Sequence, residues 1–573
     1  MKQTHPRDRY NVTDNNRIFD IICDLHVRML TARDGVKLHT NIYFPADFDN
    51  TPSPVLLIRT PYCLTDRLFL PDKRVSSHKV IYILQACRGT GWSEGDFDPT
   101  DKDVEKNDVE DLFRWLEKQP WFNGRCAMFG SSYTGWVQWC AAQTGFEKLV
   151  GIAPRVAPVY ACLGGGIKGG GIRHDLVINW ILSLYHRRKY GFVNMPNYEE
   201  MGILKHLPLS GCDQAAGYET VTAYQNMIQH VDSPGKPMKY HHEYIPAIKT
   251  PAFISGGWFD PFKDETIESF QLLKYSATAE KVRRFTRLYI GPWEHAGLVN
   301  PDLFGEEGSQ DDLNVREARF LQGLLENPDM DPLPEMPAVR YYMLGENSWR
   351  NADDWPPQET RDMKMYLHSG GNANSVYGDG ILNATPPKTE SPDIYISNPA
   401  DPVVSCGGIC ATLGCYDRST DEKRPDVLVY TTLPSDVPLT FAGQVKFHFS
   451  ASASTPDTDY CAILTMVTPD KRSLFLTAGQ IRARFRNDME HAELIIPGKI
   501  YEYNIDLSHI AVKILPGYAL RLELCGQYFP FWGRNSNTGN PLKDDTELQI
   551  SRHTIFHDAK HPAYLELPVL IRD

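Results

Sequence analysis

Short apolar runs separated by helical periodicity dominate the first 300 residues, and they restrict the fold more than any other feature. Val55-Leu56-Leu57-Ile58 and Val80 to Leu84 are continuous apolar runs, the pattern of strands buried on both faces. An amphipathic stretch follows, carrying Val104, Asp108, Asp111, Leu112, Trp115 and Leu116, and Pro120 ends it. Next come a strand over Cys126 to Phe129, a Gly-Ser turn, a helix over Tyr133 to Gln143 and a strand over Leu149 to Ala153. Strands that alternate with helices build a mostly parallel sheet with helices on both faces. Ahead of this unit, Val27 to Ala32 and Val36 to Phe44 flank Asp34-Gly35, which predicts a hairpin.

The alternation breaks near Val159. Residues 160–245 show helical pieces, Leu176 to Tyr185 and Tyr224 to Gln229, and no strand run. The glycine-dense segment 164–171 lacks the Gly-Lys-Ser/Thr ending of a phosphate-binding loop, so it reads as a flexible entry to this insertion. Alternation resumes with a strand at Ala252 to Ser255, a helix at Glu265 to Leu273 and a strand at Arg287 to Ile290. Beyond Pro334 the runs are short and separated by turn residues, among them Val339 to Leu344, Val445 to Ser450, Ala462 to Val467 and Ala519 to Leu524. That spacing predicts an all-β sandwich or jelly roll. The expected fold class is therefore α/β, divided into an α/β domain at 1–159 and 246–334, a helical cap at 160–245 and a β-sandwich at 335–573. A chain of 573 residues agrees with more than one core.

Charge narrows the partners. The formal net charge is 59 − 72 = −13, evenly mixed along the chain, which argues against nucleic acid and anionic membranes. No apolar run approaches a membrane span, and Met1 to Asn16 is polar, so a cytoplasmic location is expected. The twelve cysteines are spread thinly. Cys87, Cys126 and Cys140 sit in apolar or helical stretches and read as buried reduced thiols. Cys406, Cys410 and Cys415 do not match a paired zinc spacing and read as part of a Gly-rich loop. The sequon Asn11-Val12-Thr13 carries no weight without a secretory signal. No metal or organic cofactor is expected.

A serine hydroxyl is a weak nucleophile that needs a base, an orienting acid and donors for the oxyanion. The segment Gly130-Ser131-Ser132-Tyr133-Thr134-Gly135 lies between a strand and a helix, where a nucleophile elbow exposes its serine. Gly130 stands two before Ser132, and the second glycine comes three after it rather than two. Ser131, the rival, lacks a glycine at minus two. In this fold the partners follow in the order acid, then histidine, past the ends of later strands. Asp260 follows the strand Ala252 to Ser255, and His295 follows Arg287 to Ile290. Glu294 is left with a structural or surface role. The amide of Tyr133 is the expected first oxyanion donor, and Tyr62, just past Val55 to Ile58, is a candidate second donor. Trp180, Trp258 and Trp293 are candidates for an acyl pocket, although packing in the core is the commoner fate of such residues.

These residues, taken with several further blocks, resemble a known family. The blocks are Arg59-Thr60-Pro61-Tyr62, Arg88-Gly89-Thr90-Gly91-Trp92-Ser93-Glu94-Gly95, the Ser132 elbow, Gly256-Gly257-Trp258-Phe259-Asp260, Gly291-Pro292-Trp293-Glu294-His295, Met343 to Arg350 and Arg424 to Tyr430. The chain resembles the cocaine esterase / X-Pro dipeptidyl-peptidase group of α/β-hydrolases, which includes α-amino acid ester hydrolases and glutaryl cephalosporin acylases. The resemblance implies an α/β-hydrolase domain, a helical cap and a C-terminal jelly roll. It implies Ser132 as nucleophile, His295 as general base, Asp260 as orienting acid, and Tyr62 with the Tyr133 amide as oxyanion hole. The elbow form G-x-S-Y-x-G accounts for the late Gly135. Arg88 and Ser93 belong to a motif that braces the loop below the site. The expected activity is cleavage of a small-molecule ester or amide through an acyl-serine. Acyl transfer to an amine or alcohol is the alternative, and an X-Pro peptidase a weaker one. A hydrolase fold kept as a binding module stands last, because every triad role has a candidate. The acyl group and the state of homo-oligomerisation are left open by the sequence.

Overall fold

The computed structural model describes residues 23–45, 48–62, 64, 80–159, 167–191, 194–234, 244–297, 300–308, 310–405 and 414–571. The sequon, the polar N-terminal stretch, Cys406, Cys410 and residues 164–166 lie outside the described residues.

The described residues open with the expected hairpin, β1 (Cys23–Thr31) and β2 (Lys37–Pro45), then β3 (Ser53–Thr60) and β4 (Ile81–Ala86). Helix α1 (Lys102–Leu116) leads to β5 (Phe122–Ser131), α2 (Tyr133–Ala142) and β6 (Leu149–Arg155). An insertion holds a two-residue hairpin, β7 (Ile167–Lys168) with β8 (Gly171–Ile172), then α3 (His174–Tyr190) and α4 (Thr222–Ile228). The alternation resumes with β9 (Phe253–Phe259), α5 (Lys263–Ser276), β10 (Arg287–Glu294) and α6 (Asp311–Glu326), and ends with β11 (Val339–Met343) and β12 (Ser348–Ala352). Among the described residues, ten strands form one sheet in the order β1-β2-β4-β3-β5-β6-β9-β10-β11-β12. All pairings from β4 to β11 are parallel.

Period-2 geometry explains why the apolar runs are continuous. Val55 and Leu57 point to one face, with Ile81, Ile83, Cys126 and Met128, beneath α1 and α2. Leu56 and Ile58 point to the other, with Leu84, Ala127, Phe253 and the α6 residues Phe320, Leu321 and Leu324. Each such side chain, fully buried, stabilises by about 1.5–3 kcal/mol. Helix α1 starts where Asp101 accepts from the amides of Asp103 and Val104 at 3.1 and 3.0 Å.

The sequence reading ended this sheet before residue 335, but the sheet runs on to Ala352. Strand β11 pairs in parallel with β10, Leu288 opposite Val339, and β12 pairs antiparallel with β11. Periodicity marks a strand and not its partner, so β11 looked like the strands that follow it.

Those strands are β13 (Thr360–His368), β14 (Ile381–Asn383), β15 (Asp393–Ser397), β16 (Leu428–Thr431), β17 (Leu439–Ala453), β18 (Asp459–Val467), β19 (Ser473–Arg482), β20 (Tyr501–Ile514), β21 (Ala519–Cys525), β22 (Ser551–Phe556) and β23 (Tyr564–Leu570). Among the described residues they join in one sheet in which only the β14–β16 pairing is parallel.

The insertion has its own small core of Ile178, Ile181, Leu182, Tyr224, Met227 and Ile228, completed by Phe529 and Leu542 from the C-terminal part. Its hairpin corrects two expectations, the absence of strands and the flexible glycine entry. The turn at Gly169 docks on β19: the Arg482 amide donates to the Gly169 carbonyl at 2.9 Å. A Cβ on Gly169 would lie 2.0 Å from the Gln480 carbonyl oxygen. Glycine is needed there for close approach as well as for its positive φ.

Candidate active site

Strand β5 delivers the chain to Ser132, and α2 carries it away. Ser132 has φ 59° and ψ −126°, a conformation L-residues avoid, which costs about 1–3 kcal/mol. The turn is held by the Ser132 amide donating to the Arg155 carbonyl at 2.9 Å and by the Thr134 hydroxyl donating to the Ser131 carbonyl at 2.6 Å. The two glycines have steric reasons. A Cβ on Gly130 would meet Thr134 Oγ1 at 2.3 Å, and one on Gly135 would meet Ala157 Cβ at 2.5 Å. The late Gly135 thus lets α2 lie against the segment leaving β6. Ser131 is the last residue of β5, opposite Arg155, which leaves Ser132 at the tip of the turn.

Asp260 follows β9 and is fully buried, and His295 follows β10. His295 Nδ1 lies 2.6 Å from Asp260 Oδ2, and Nε2 lies 3.0 Å from Ser132 Oγ. A carboxylate only accepts, so Nδ1 carries the proton and Nε2 is left to accept from the serine hydroxyl. The other carboxylate oxygen accepts from the Phe262 amide at 2.7 Å, which fixes the carboxylate in place. Burial alone would lower the pKa of His295. The Asp260 carboxylate, by charge and hydrogen bond, overrides burial, and with Glu294 it leaves the net value above 6.5. Glu294 is buried and its carboxylate accepts from the Ala296 amide at 2.8 Å, so it shapes the histidine loop.

Tyr62 sits just past β3, half-buried, and its hydroxyl oxygen accepts from the Trp180 indole of α3 at 3.2 Å. Tyr133 is the first residue of α2, so its amide stands at the helix N-terminus. Its own hydroxyl donates to Glu105 Oε1 at 3.0 Å. Glu105 in turn pairs with Arg59 at 2.5 Å, both buried. Beside them Arg88 bridges Asp108 and Asp34, each at 2.6 Å, and the Ser93 hydroxyl donates to the Ala86 carbonyl at 2.9 Å. Arg88 thus ties the segment after β4 to α1 and to the turn of the first hairpin, and Ser93 closes that segment on the end of β4.

A cavity of about 190 Å³ opens over Ser132 and His295. Its walls are Tyr62, Tyr133, Pro158, Phe262 and, from the insertion, Leu176, Val177, Trp180 and Met227. The Phe262 and His295 rings meet edge to face at 5.4 Å. Of the three tryptophans singled out, only Trp180 lines this cavity. Trp258 and Trp293 are buried, their indoles donating to the carbonyls of Tyr342 at 2.7 Å and Gly308 at 2.5 Å. Sequence reasoning missed Glu105, Phe262, Leu176 and Met227. A helical stripe marks Leu176, Val177 and Trp180 as one face of α3, but periodicity does not say that the face looks into a cavity. Among the described residues, no cluster of three His, Cys, Asp or Glu side chains could hold a metal ion, and no helix is long and apolar enough to cross a membrane.

The parallel sheet and the strained serine turn place the protein among serine hydrolases with an α/β-hydrolase-like catalytic part, joined here to a C-terminal non-catalytic domain. Within that class, the chain belongs to the CocE/NonD, X-Pro dipeptidyl-peptidase-like family. Residues 34–297 match the family model of the X-Pro dipeptidyl-peptidase (S15 family), and residues 334–566 match that of the X-Pro dipeptidyl-peptidase C-terminal non-catalytic domain. The chain is 31% identical to the cocaine esterase of Rhodococcus sp. (strain MB1 Bresler), over 95% of this chain and 98% of that one. An aminopeptidase from a marine sediment Thaumarchaeota archaeon superposes with a TM-score of 0.80 at 23% identity, covering 96% of both chains. An α-amino acid ester hydrolase superposes with a TM-score of 0.80 at 22% identity, covering 99% of this chain and 100% of that one. At those identities the two structures speak to the fold.

Proposed function

We propose that the protein hydrolyses small-molecule esters of a compact, uncharged acyl group, with Ser132 as nucleophile, His295 as base and Asp260 as its orienting acid. The observation that carries this reading is the hydrogen-bonded series Ser132–His295–Asp260, at 3.0 and 2.6 Å, beneath an apolar cavity. Ser132 attacks the ester carbonyl as Nε2 of His295 takes its proton. The resulting imidazolium is stabilised by the buried Asp260. The Tyr133 amide and the Tyr62 hydroxyl receive the oxyanion, and one such donor is typically worth about 2.7–4 kcal/mol of barrier. His295 then protonates the departing alkoxide, and water attacks the acyl-serine by the same route in reverse.

The cavity supports the choice of acyl group. An apolar cavity of about 150 Å³ accepts benzene, so about 190 Å³ suits one aromatic ring or a branched chain of that size. The 31%-identical cocaine esterase supports an ester as substrate. In this reading residues 160–245 form the cap, supported by Leu176, Trp180 and Met227 in the cavity wall. Residues beyond the first sheet form a jelly roll, supported by the antiparallel pairing of β17 with β20, β22 and β23. A cytoplasmic location is supported by the free thiols of Cys87, Cys126, Cys212, Cys461 and Cys525.

Incubation with a panel of esters, followed by intact-mass measurement, tests the reading. The native protein is expected to gain one acyl mass, and Ser132→Ala none while remaining folded. Turnover by Ser132→Ala at the native rate would overturn the assignment.

A further inference from the structure

Tyr62 receives a hydrogen bond from Trp180, and the chemistry of that contact has one direction. An indole N–H only donates. At 3.2 Å the Tyr62 oxygen is therefore the acceptor. A phenolic O–H prefers the plane of its ring and so has two favoured orientations. The orientation that faces the indole N–H would set hydrogen against hydrogen. The contact thus selects the other orientation of the phenol proton. Accepting a hydrogen bond also polarises the O–H and makes it a stronger donor.

The surroundings hold Trp180 to this geometry. Its ring packs against Tyr133 at 5.7 Å and against Phe97 at 6.1 Å. Tyr133 is itself fixed by Glu105 beneath the serine turn. Trp180 lies on α3, whereas Tyr62 and Tyr133 belong to the main sheet unit. One side chain of the insertion therefore touches both residues assigned to the oxyanion hole.

We infer that Trp180 is a positioning residue: its indole N–H orients the Tyr62 hydroxyl toward the oxyanion and so couples the seating of the cap to the reaction. This rests on the reading of Tyr62 as an oxyanion donor. Trp180 acts through Tyr62, and its effect belongs to the transition state rather than to substrate binding.

A double-mutant cycle on kcat and KM tests this, together with the affinity of an arylboronic acid, which forms a tetrahedral adduct on the serine. Tyr62→Phe is expected to lower kcat by about 10²–10³-fold. Trp180→Phe keeps a ring and loses the donor. It is expected to lower kcat about five- to tenfold, with KM unchanged, and to weaken the boronic acid by the same factor. In the Tyr62→Phe background the same change is expected to cost less than about twofold, because the hydroxyl it orients is gone. Equal losses in the two backgrounds would show that Trp180 acts by packing and would overturn the inference. So would an unchanged kcat in Trp180→Phe. Full activity in Tyr62→Phe would instead remove the oxyanion reading of Tyr62, whatever Trp180 does. If Trp180→Phe fails to fold, β-(3-benzothienyl)alanine in place of Trp180 keeps the shape, replaces N–H by sulfur and reads the same cycle.

Discussion

His295 sits under two opposed influences, and in the proposed mechanism the balance sets the pH at which the enzyme works. Burial favours the neutral ring, while Asp260 at 2.6 Å favours the cation and prevails. A general base must be neutral, so kcat/KM should rise with pH through an inflection above 6.5. Asp260→Asn leaves burial without its counterweight. Its inflection should move to lower pH than that of the native enzyme, and kcat should fall about 10⁴-fold because the preferred tautomer is lost. The measurement is a pair of pH–rate profiles, and coincident inflections would contradict the assignment. At this scale the proposed triad of Ser132, Asp260 and His295 was legible because each lies just past a strand recognisable by its apolar run. Phe262 and Glu105 were not. Phe262 acts through the direction of its ring, and Glu105 through Arg59, which lies 46 residues away on another element.

Helix α1 shows what an element contributes beyond its periodicity. Its amphipathic stretch was readable, and Leu112 and Leu116 from it are buried, joined by Val109 and Phe113, which the sequence reading did not single out. The same helix also buries two carboxylates, Glu105 and Asp108, which no apolar stripe announces. Both meet guanidinium groups from strand ends: Arg59 from β3, and Arg88 just past β4. The pairs tie the helix to the C-terminal ends of β3 and β4. Removing one partner of a buried pair costs about 3–5 kcal/mol when the other charge is left alone, and Asp108, 3.6 Å from Arg59, keeps the loss in Glu105→Ala at the low end of that range. Glu105→Ala should therefore lower the urea midpoint by that order of stability. Replacing both partners, Arg59→Met with Glu105→Leu, should recover most of the loss. A double variant no more stable than Glu105→Ala would show that the stranded charge is not the cause. The partner problem that hid Arg59 is also the one that misplaced β11, since both are settled by contacts far apart in the chain.

Across the whole molecule, the first turn of α5 is where the three parts meet. Asp264, four residues past Asp260, pairs with Lys168 of the β7–β8 hairpin and accepts from the Ser508 hydroxyl and, at 3.3 Å, from the His509 amide of β20. Lys263 is buried beside it and donates to Thr477 Oγ1 of β19 at 3.1 Å. No local pattern joins residues 168, 264, 477 and 508, and this junction could not have been read from the sequence. Burial, foremost, with Lys168 and Arg173 adding to it against Asp264 and Asp506, pulls the pKa of Lys263 down from 10.5 to about 7. Between those values the unfolded chain binds a proton that the folded protein does not. Stability contributed by this group therefore rises with pH from about 7 toward 10.5. Glu265 works with the opposite sign. Burial, then Asp264, lifts its pKa from 4.5 to about 7, so its contribution falls as pH rises through that window. Together they place a dip in stability near neutrality. Lys263→Met should raise the Tm at pH 7 and flatten the climb between pH 7 and 10, while leaving the fall between pH 4.5 and 7 in place. Thermal unfolding across pH separates the two groups. A native-like alkaline climb in Lys263→Met would mean that another group at the junction holds the displaced proton.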